Sequence, residues 1–409
     1  MQTVVLAAGE GTRMRPLTAS RPKPMLPVAD RPLVAHTVDA AVDAGASRLV
    51  VVVGYEADAV RSYFGADYRG VPVTFVVQET QRGTADAVRV AATELDQGPF
   101  VVLNGDALYD TPSLERLYAS GPAVGSYHVD NPSSYGVLIT AGEGDDAAEN
   151  GENGDDSDRV TGVVEKPTHP PSNLVNTGAY HFPDEARAWL DVGESERGEL
   201  ELTDVLERTC DAFDVTAVAF DRWLDVGRPW ELLEANEWKL AELTTRIDGE
   251  VHDDAVVEGP VVVEPGARVR SGVVVEGPAL IREDATVGPN AYVRGATLVG
   301  RGAKVGHAVE VKNSVLMRDA TVGHLSYVGD SVLGRDVNFG AGTTVANLRH
   351  DGADVSLTVK GERVSTGRRK LGVVVGDGVK TGINASLNAG VVLSGGARVS
   401  PGEVVTRDR

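Results

Sequence analysis

Beginning at Val251, every sixth residue is Val or Ile: Val257, Val263, Val269, Val275, Ile281, Val287, Val293, Val299, Val305 and Val311. Gly or Pro recur between them. A helix repeats its buried face about every 3.6 residues and a half-buried strand about every 2, so neither accommodates an aliphatic period of six. A parallel solenoid does, with three short faces and about 18 residues per coil, each aliphatic side chain stacking on the one a coil below. The spacing predicts a left-handed parallel β-helix. Its phase slips around Met317 to Leu333, resumes at Val375, Thr381, Leu387, Leu393 and Val399, and runs to the C-terminus. The polar stretch Leu348 to Arg369 reads as a loop projecting from the coils.

A length of 409 residues is too much for one core. The first 230 residues alternate apolar strands with helix-like stretches such as Leu33 to Ala44 and Thr84 to Leu95. That alternation predicts an α/β, Rossmann-like domain: a mainly parallel sheet with helices on both faces. The expected boundaries are a first domain over 1–228, a connecting helix over 229–248 with Trp230, Leu232, Leu233 and Trp238 at helical spacing, and the β-helix over 249–409.

The formal charge of −21 argues against a nucleic-acid partner, because a phosphate backbone would be repelled. Only eight of the 39 basic residues are Lys, and the carboxylates are spread along the chain, which reads as a halophile's surface in a salt-rich cytosol. Cys210 is the single cysteine, so neither an intrachain disulfide nor a thiolate metal cluster can form, and it reads as a small buried hydrophobe. With no signal-peptide pattern and no apolar run near the roughly 20 residues that span a bilayer, the expectation is a cytoplasmic protein with no membrane partner. Gly142 to Asp158 carries eight carboxylates and no basic residue, and reads as a solvated hairpin tip whose deletion leaves activity intact.

The N-terminus holds the first chemical motif. The apolar strand Thr3-Val4-Val5-Leu6-Ala7-Ala8 runs into Gly9-Glu10-Gly11-Thr12-Arg13, then Pro22-Lys23-Pro24-Met25-Leu26-Pro27. Two glycines let backbone N–H groups approach phosphate oxygens, and Arg13 adds a planar charged fork. Alone, Gly-x-Gly is an ordinary strand-to-helix turn, and the spacing is neither a dinucleotide fingerprint nor a Walker loop. With Thr12, Arg13 and Lys23 behind it, the segment reads as a nucleoside triphosphate site.

Leu6 to Thr18 and Pro22 to Pro27 resemble the signature of the sugar nucleotidyltransferase family, which condenses a nucleoside triphosphate with a sugar 1-phosphate and releases pyrophosphate. The resemblance implies that Leu6, Ala8, Gly9, Gly11 and Thr12 contact the nucleotide. Arg13 steadies the leaving pyrophosphate, and Lys23 bridges the sugar phosphate and the transferred group. Gln78, with Gly83 and Thr84, would meet the edge of a pyrimidine. Gly136, Glu165 and Asn176 would bind the sugar, with Lys166 facing the phosphates. Asp106 closes the apolar strand Val101 to Asn104, and Asp225 closes another apolar stretch; singly each could be a turn residue, and as a pair they are the expected Mg²⁺ ligands.

In the second half, His324-Leu325-Ser326-Tyr327 followed by Asn338 and Asn347 resembles the acetyltransferase half of the bifunctional enzyme that makes UDP-N-acetylglucosamine. By that resemblance His324 is the general base toward acetyl-CoA, work that suits an imidazole because its ordinary pKa is about 6.5. Arg294 and Lys312 would bind the sugar phosphate, Tyr327 and Asn338 the sugar, and Asn347 with Lys370 would complete the site. The implied reaction sequence is N-acetylation of glucosamine 1-phosphate, then uridylyl transfer from UTP, in a homotrimer acting on small molecules. Two departures keep an alternative open. Arg15-Pro16-Leu17-Thr18 is closer to glucose-1-phosphate thymidylyl- or uridylyltransferases, which a non-catalytic β-helix would suit; and the loop after Asn347 is longer than in bacterial members, as in the archaeal branch.

Overall fold

The aliphatic period of six closes into three flat parallel sheets of eight short strands each. The computed structural model describes residues 1–54, 56–143, 158–195 and 198–409. Successive coils stack in strict register, as in Val257 beside Val275, Val275 beside Val293 and Val293 beside Val311. The periodic side chains fill the inside of a left-handed β-helix, where Val263, Ile281, Val293 and Val311 have no exposed surface. Each contributes roughly 1.5–3 kcal/mol by leaving water, and every coil after the first rests on a neighbour.

The phase slip has a simple cause. Val293 pairs with Val311, eighteen positions on, but Val299 pairs with Leu316, only seventeen on. One residue is dropped between Val311 and Leu316, and another between Val328 and Leu333, at the same corner of successive coils. The stack itself continues through Leu316, Val322, Val328, Leu333, Phe339 and Val345, all fully buried. The shortened corners are lined by buried hydroxyls: Ser314 Oγ donates to Lys312 O at 2.7 Å, and Ser331 Oγ donates to Gly329 O at 2.7 Å. The interruption is a hairpin, Ser356–Val359 against Glu362–Ser365, whose neck closes at the bridge between Leu348 and Lys370.

The large sheet of the N-terminal half has ten strands. Its parallel centre runs Val71–Val77, Arg48–Val53, Gln2–Ala7, Phe100–Asn104. Leu174–Phe182 then joins antiparallel to Phe100–Asn104. Strands without exposed residues, such as Leu49 to Val53, are the continuous apolar runs that a sheet covered on both faces requires. Helices Leu33–Asp43 and Thr84–Ala91 form where the sequence pattern places them. The acidic stretch expected at a hairpin tip falls mostly on 144–157, outside the described residues. Its flanking strands, Gly136–Thr140 and Arg159–Glu165, pair antiparallel.

By internal contacts the chain forms two compact units, one of residues 1–10 and 33–225, the other of residues 11–32 and 226–409. The segment following the first strand therefore groups with the β-helix. Helix Pro229–Ala241 belongs to the same unit and packs its aromatic face inward, with Trp230 and Trp238 buried. Cys210 is half-buried, and burial pushes its thiol up to about 11, which removes it as a nucleophile near neutrality. No helix among the described residues is long and apolar enough to cross a membrane.

Candidate active sites

In the first unit, strands Gln2–Ala7 and Phe100–Asn104 end side by side, joined beyond their last rungs by Gly105 N–H donating to Leu6 O at 2.9 Å. Carboxyl ends of parallel strands are where such sheets present ligands. Ala8 O accepts from Gln81 Nε2 at 2.6 Å, while the space beside Gly9 is open. Leu6 and Ala8 thus have their carbonyls engaged within the unit, and Gly9 leaves room for a ligand at the backbone.

Asp106 stands immediately before strand Ala107–Tyr109, which pairs antiparallel with Trp223–Asp225 so that Asp225 lies opposite Ala107. The two residues thus sit one position apart along a two-stranded ribbon. Their joint field is felt by buried Tyr109: burial first, then Asp106 and also Asp225, holds its phenol well above the ordinary range. Among the described residues no group of three or more His, Cys, Asp or Glu gathers as a metal cage. A carboxylate pair is the donor set that suits Mg²⁺, a hard cation that keeps several waters and binds substrate phosphates.

Gln78 is buried, and both of its amide hydrogens are used, to Gly83 O at 3.1 Å and Asp86 Oδ2 at 2.9 Å. What it retains for a base is its carbonyl oxygen. Burial would raise the Asp86 carboxyl, but hydrogen bonds from Gln78 and Arg89 outweigh that and keep it below the ordinary range, so the clamp on Gln78 stays charged. Gly83 has a reason other than the one expected. At φ 124° a side chain there would point into the backbone of Leu200, 2.4 Å from its carbonyl oxygen. Thr84 is exposed at the helix start, and its Oγ accepts from Leu202 N at 3.0 Å.

Gly136 pairs with Glu165 across adjacent strands, and Lys166 Nζ sits 3.2 Å from Glu165. Asn176 turns inward at a bulge: its Nδ2 donates to Tyr180 Oη at 2.5 Å and its Oδ1 accepts from Gly178 N at 2.8 Å. Sequence reasoning missed the aromatic group around Trp223, which packs at 5.5 Å on Tyr135 and 5.9 Å on Tyr127. The Trp223 indole N–H and the Thr177 hydroxyl are both buried without a hydrogen-bond partner. Their positions are scattered in sequence, and no motif joins them.

In the second unit, Gly11 adopts φ 64°, and a Cβ there would lie 2.6 Å from Lys23 Cβ. Thr18 Oγ donates to Gly11 O at 2.8 Å. The glycine, Thr18 and buried Lys23 are thus packed as one piece, while Thr12 begins a short 3₁₀ turn that leaves Arg13 exposed.

On the β-helix, register brings the expected residues of one face together. Arg294, Lys312 and Gly329 form one column, Tyr292, Glu310 and Tyr327 the next. Arg294 is gripped by Glu310, at 2.7 Å from Nη2, and that bond raises its pKa. Lys312 Nζ meets Asp330 at 2.8 Å. Asp330, almost wholly buried, also accepts from Asn347 Nδ2 at 2.5 Å, and Asn347 donates to Tyr327 Oη at 3.1 Å. Burial, then Glu310 and Asp330, pushes the Tyr327 phenol up, keeping it a neutral hydrogen-bonding group. His324 is exposed at the corner leading into this face. Lys370 returns through the hairpin neck at the other end of this face, where Leu371 N donates to Asn347 O at 3.0 Å.

Asn338 is not brought to this cluster. It stacks on Thr321 in the neighbouring sheet and is exposed there. Arg294 and Lys312, expected as phosphate ligands, each already hold a carboxylate. The partners Glu310 and Asp330 were missed, although the coil spacing places Glu310 two positions from Lys312, on the same face and in the column beside that of Arg294.

Residues 2–242 match the family model described as nucleotidyl transferase, and residues 275–395 match that of the GMPPB C-terminal domain. A bifunctional protein GlmU of Methanococcus vannielii is 38% identical over 100% of this chain and 95% of its own length. A bifunctional sugar-1-phosphate nucleotidylyltransferase/acetyltransferase of Sulfurisphaera tokodaii is 36% identical over 100% of this chain and 98% of its own length. The chain belongs to this bifunctional family. As a family member it is a transferase, with a nucleotidyltransferase part followed by an acetyltransferase β-helix. The first part alone is also similar to a UTP–glucose-1-phosphate uridylyltransferase of Haloferax volcanii, 38% identical over 60% of this chain and 99% of that protein. A UDP-glucose pyrophosphorylase solved with UDP-glucose covers 57% of this chain and 96% of its own, at 25% identity and a TM-score of 0.50.

Proposed function

We propose that the chain transfers acetyl from acetyl-CoA to the amine of glucosamine 1-phosphate, and then joins N-acetylglucosamine 1-phosphate to UMP from UTP. The observation that carries the reading is the face bearing Arg294, Lys312, Tyr327 and Asn347 beside exposed His324, in a chain matched from end to end by bifunctional relatives. His324 takes a proton from the sugar nitrogen as the N–C bond forms. The C–S bond of the thioester then breaks, and the proton passes to the departing thiolate. Asn347 and Tyr327 orient the sugar, while Arg294 and Lys312 offer their remaining N–H donors to its phosphate.

In uridylyl transfer a phosphate oxygen of the sugar attacks the α-phosphorus in line, and the bond to pyrophosphate breaks. Arg13 and Lys23 neutralise charge on the oxygens, so rate comes from position and electrostatics. Asp106 and Asp225 would hold Mg²⁺, whose chemistry is to neutralise the triphosphate. Gln78, with only its carbonyl oxygen to offer, suits a base that presents a ring N–H, as uracil and thymine do. A halophilic, cytoplasmic homotrimer accords with the acidic surface and with Leu325 and Ile383, 64% and 55% exposed at one edge of the coils beside His324.

The deciding assay in molar KCl pairs thiol release from acetyl-CoA plus glucosamine 1-phosphate with pyrophosphate release from UTP plus N-acetylglucosamine 1-phosphate; both are expected. No thiol, with pyrophosphate from glucose 1-phosphate and UTP or dTTP, would replace this reading with a glucose-1-phosphate nucleotidyltransferase on a non-catalytic β-helix. The Haloferax relative's name favours testing that second reading.

Gly329→Ala tests the geometry of the acetyl site. The added Cβ would sit 2.4 Å from Tyr327 Oη and 2.8 Å from Asn347 Nδ2, pushing the phenol from its place. The expected result is roughly tenfold slower thiol release with a raised KM for the amino sugar phosphate. Pyrophosphate release should not change.

A further inference from the structure

The Gly11–Pro32 segment is fastened to the β-helix unit at two points, and Lys23 lies between them. At one end, buried Asn236 of helix Pro229–Ala241 accepts from Ala29 N at 2.8 Å and donates to Pro27 O at 3.3 Å. At the other, Asp377 of a late coil accepts from Arg21, both carboxylate oxygens lying 3.1 Å from Nη2, and from the hydroxyl of Ser20 at 2.6 Å. Arg335 completes the knot, reaching Asp377 Oδ2 at 2.9 Å and Ser20 Oγ at 2.9 Å.

The knot is built for shape as well as charge. Arg21 is 9% exposed, its Nη1 lies 3.2 Å from the sulfur of buried Met317, and its Nε is buried without a partner. Burial lowers the Arg21 pKa, with Asp377 opposing that loss. Asp377 is itself half-buried, yet Ser20, Arg21 and Arg335 keep its carboxyl below the ordinary range. A side chain on neighbouring Gly376 would lie 3.0 Å from Pro16 Cβ, so the coil and the segment also meet closely beside the ion pair. An arginine this buried keeps its place only while its carboxylate is present.

We propose that Asp377, on the acetyltransferase β-helix, is a positioning residue for uridylyl transfer: it holds Ser20 and Arg21, and through them the conformation of Pro22-Lys23 and Gly11. The inference rests on the reading of Arg13 and Lys23 as phosphate-binding groups. It gives the solenoid a part in the first domain's chemistry that a carrier for a second active site would not have. Asp377 lies at the corner next to the strand Val374–Val375, whereas His324 lies at a different corner, after Thr321–Val322, so the tether and the acetyl site are separate.

The test uses the full-length chain with Asp377→Asn and Asp377→Glu. For Asp377→Asn the expected result is at least a tenfold fall in kcat for pyrophosphate release, thiol release within twofold of wild type, and amide exchange across residues 11–23 at least tenfold faster. Asp377→Glu, which keeps the charge, should recover most of the rate. Equal loss of both reactions, no recovery in Asp377→Glu, or unchanged exchange across 11–23 would overturn the proposal. A wild-type chain that releases no pyrophosphate would instead remove the functional reading, and the exchange measurement would still decide whether Asp377 holds the segment.

Discussion

His324→Ala is expected to lower acetyl-CoA-dependent thiol release from glucosamine 1-phosphate by about 10²–10⁴-fold, the usual worth of a positioned general base, while pyrophosphate release from UTP stays at the wild-type rate. The selectivity follows from where the residue stands. His324 is exposed at a corner, and its backbone carbonyl accepts from Gly342 N at 2.9 Å, a bond that alanine preserves. Its removal leaves the buried column of Val311, Val328 and Val345 untouched. The measurement is a thiol assay on both proteins across pH, with thermal unfolding as the check on folding. Loss of a base removes the rate without moving the KM of the sugar phosphate, because Arg294, Lys312, Tyr327 and Asn347 remain. An unchanged thiol rate would mean that another group takes the proton, and would send the search to Tyr327 and its neighbours.

That this residue can be singled out at all reflects what a repeat makes legible. The six-residue aliphatic period dictates three faces per coil, so residues a coil apart must stack, and Arg294, Lys312 and Tyr327 fall on one face as a matter of arithmetic. The two dropped residues near Ser314 and Ser331 shift that arithmetic over a short stretch, which is why the sequence period breaks there although the stack does not. Asn338 illustrates the limit. The motif match expects it in the acetyl site, and the register puts it not with Tyr327 but on the adjoining face, beside Thr321, across the corner that bears His324. Partners are harder to read than ligands. Asp330 is an unremarkable acidic residue after a glycine in sequence, and only burial against Lys312 and Asn347 reveals it as the acceptor that holds both. The grouping of residues 11–32 with the β-helix had no sequence signal, because its anchors, Asp377 and Asn236, lie hundreds of positions away in ordinary contexts.

The second large effect is expected from Asp106→Asn, which should reduce pyrophosphate release by about 10²–10³-fold, equivalent to roughly 3–4 kcal/mol of transition-state stabilisation, and leave thiol release intact. Asparagine keeps the size of the side chain and the ribbon formed by Ala107–Tyr109 and Trp223–Asp225, so the change is one of charge. It also halves the carboxylate pair, and with no acidic or imidazole cluster of three or more among the described residues, nothing nearby substitutes for the lost oxygen. Binding of Mn²⁺, followed by its electron paramagnetic resonance in the presence of UTP, should weaken in step with the rate. Asp225→Asn should behave alike, and the double variant should lose little more than either single one, since a pair that acts as a unit is largely disabled by its first loss. Additive losses would instead mean that the two carboxylates serve separate purposes. Together with His324→Ala the result forms a crossed pattern, each variant silencing one reaction and sparing the other. That pattern separates two active sites in one chain from a single active site carried on a passive solenoid.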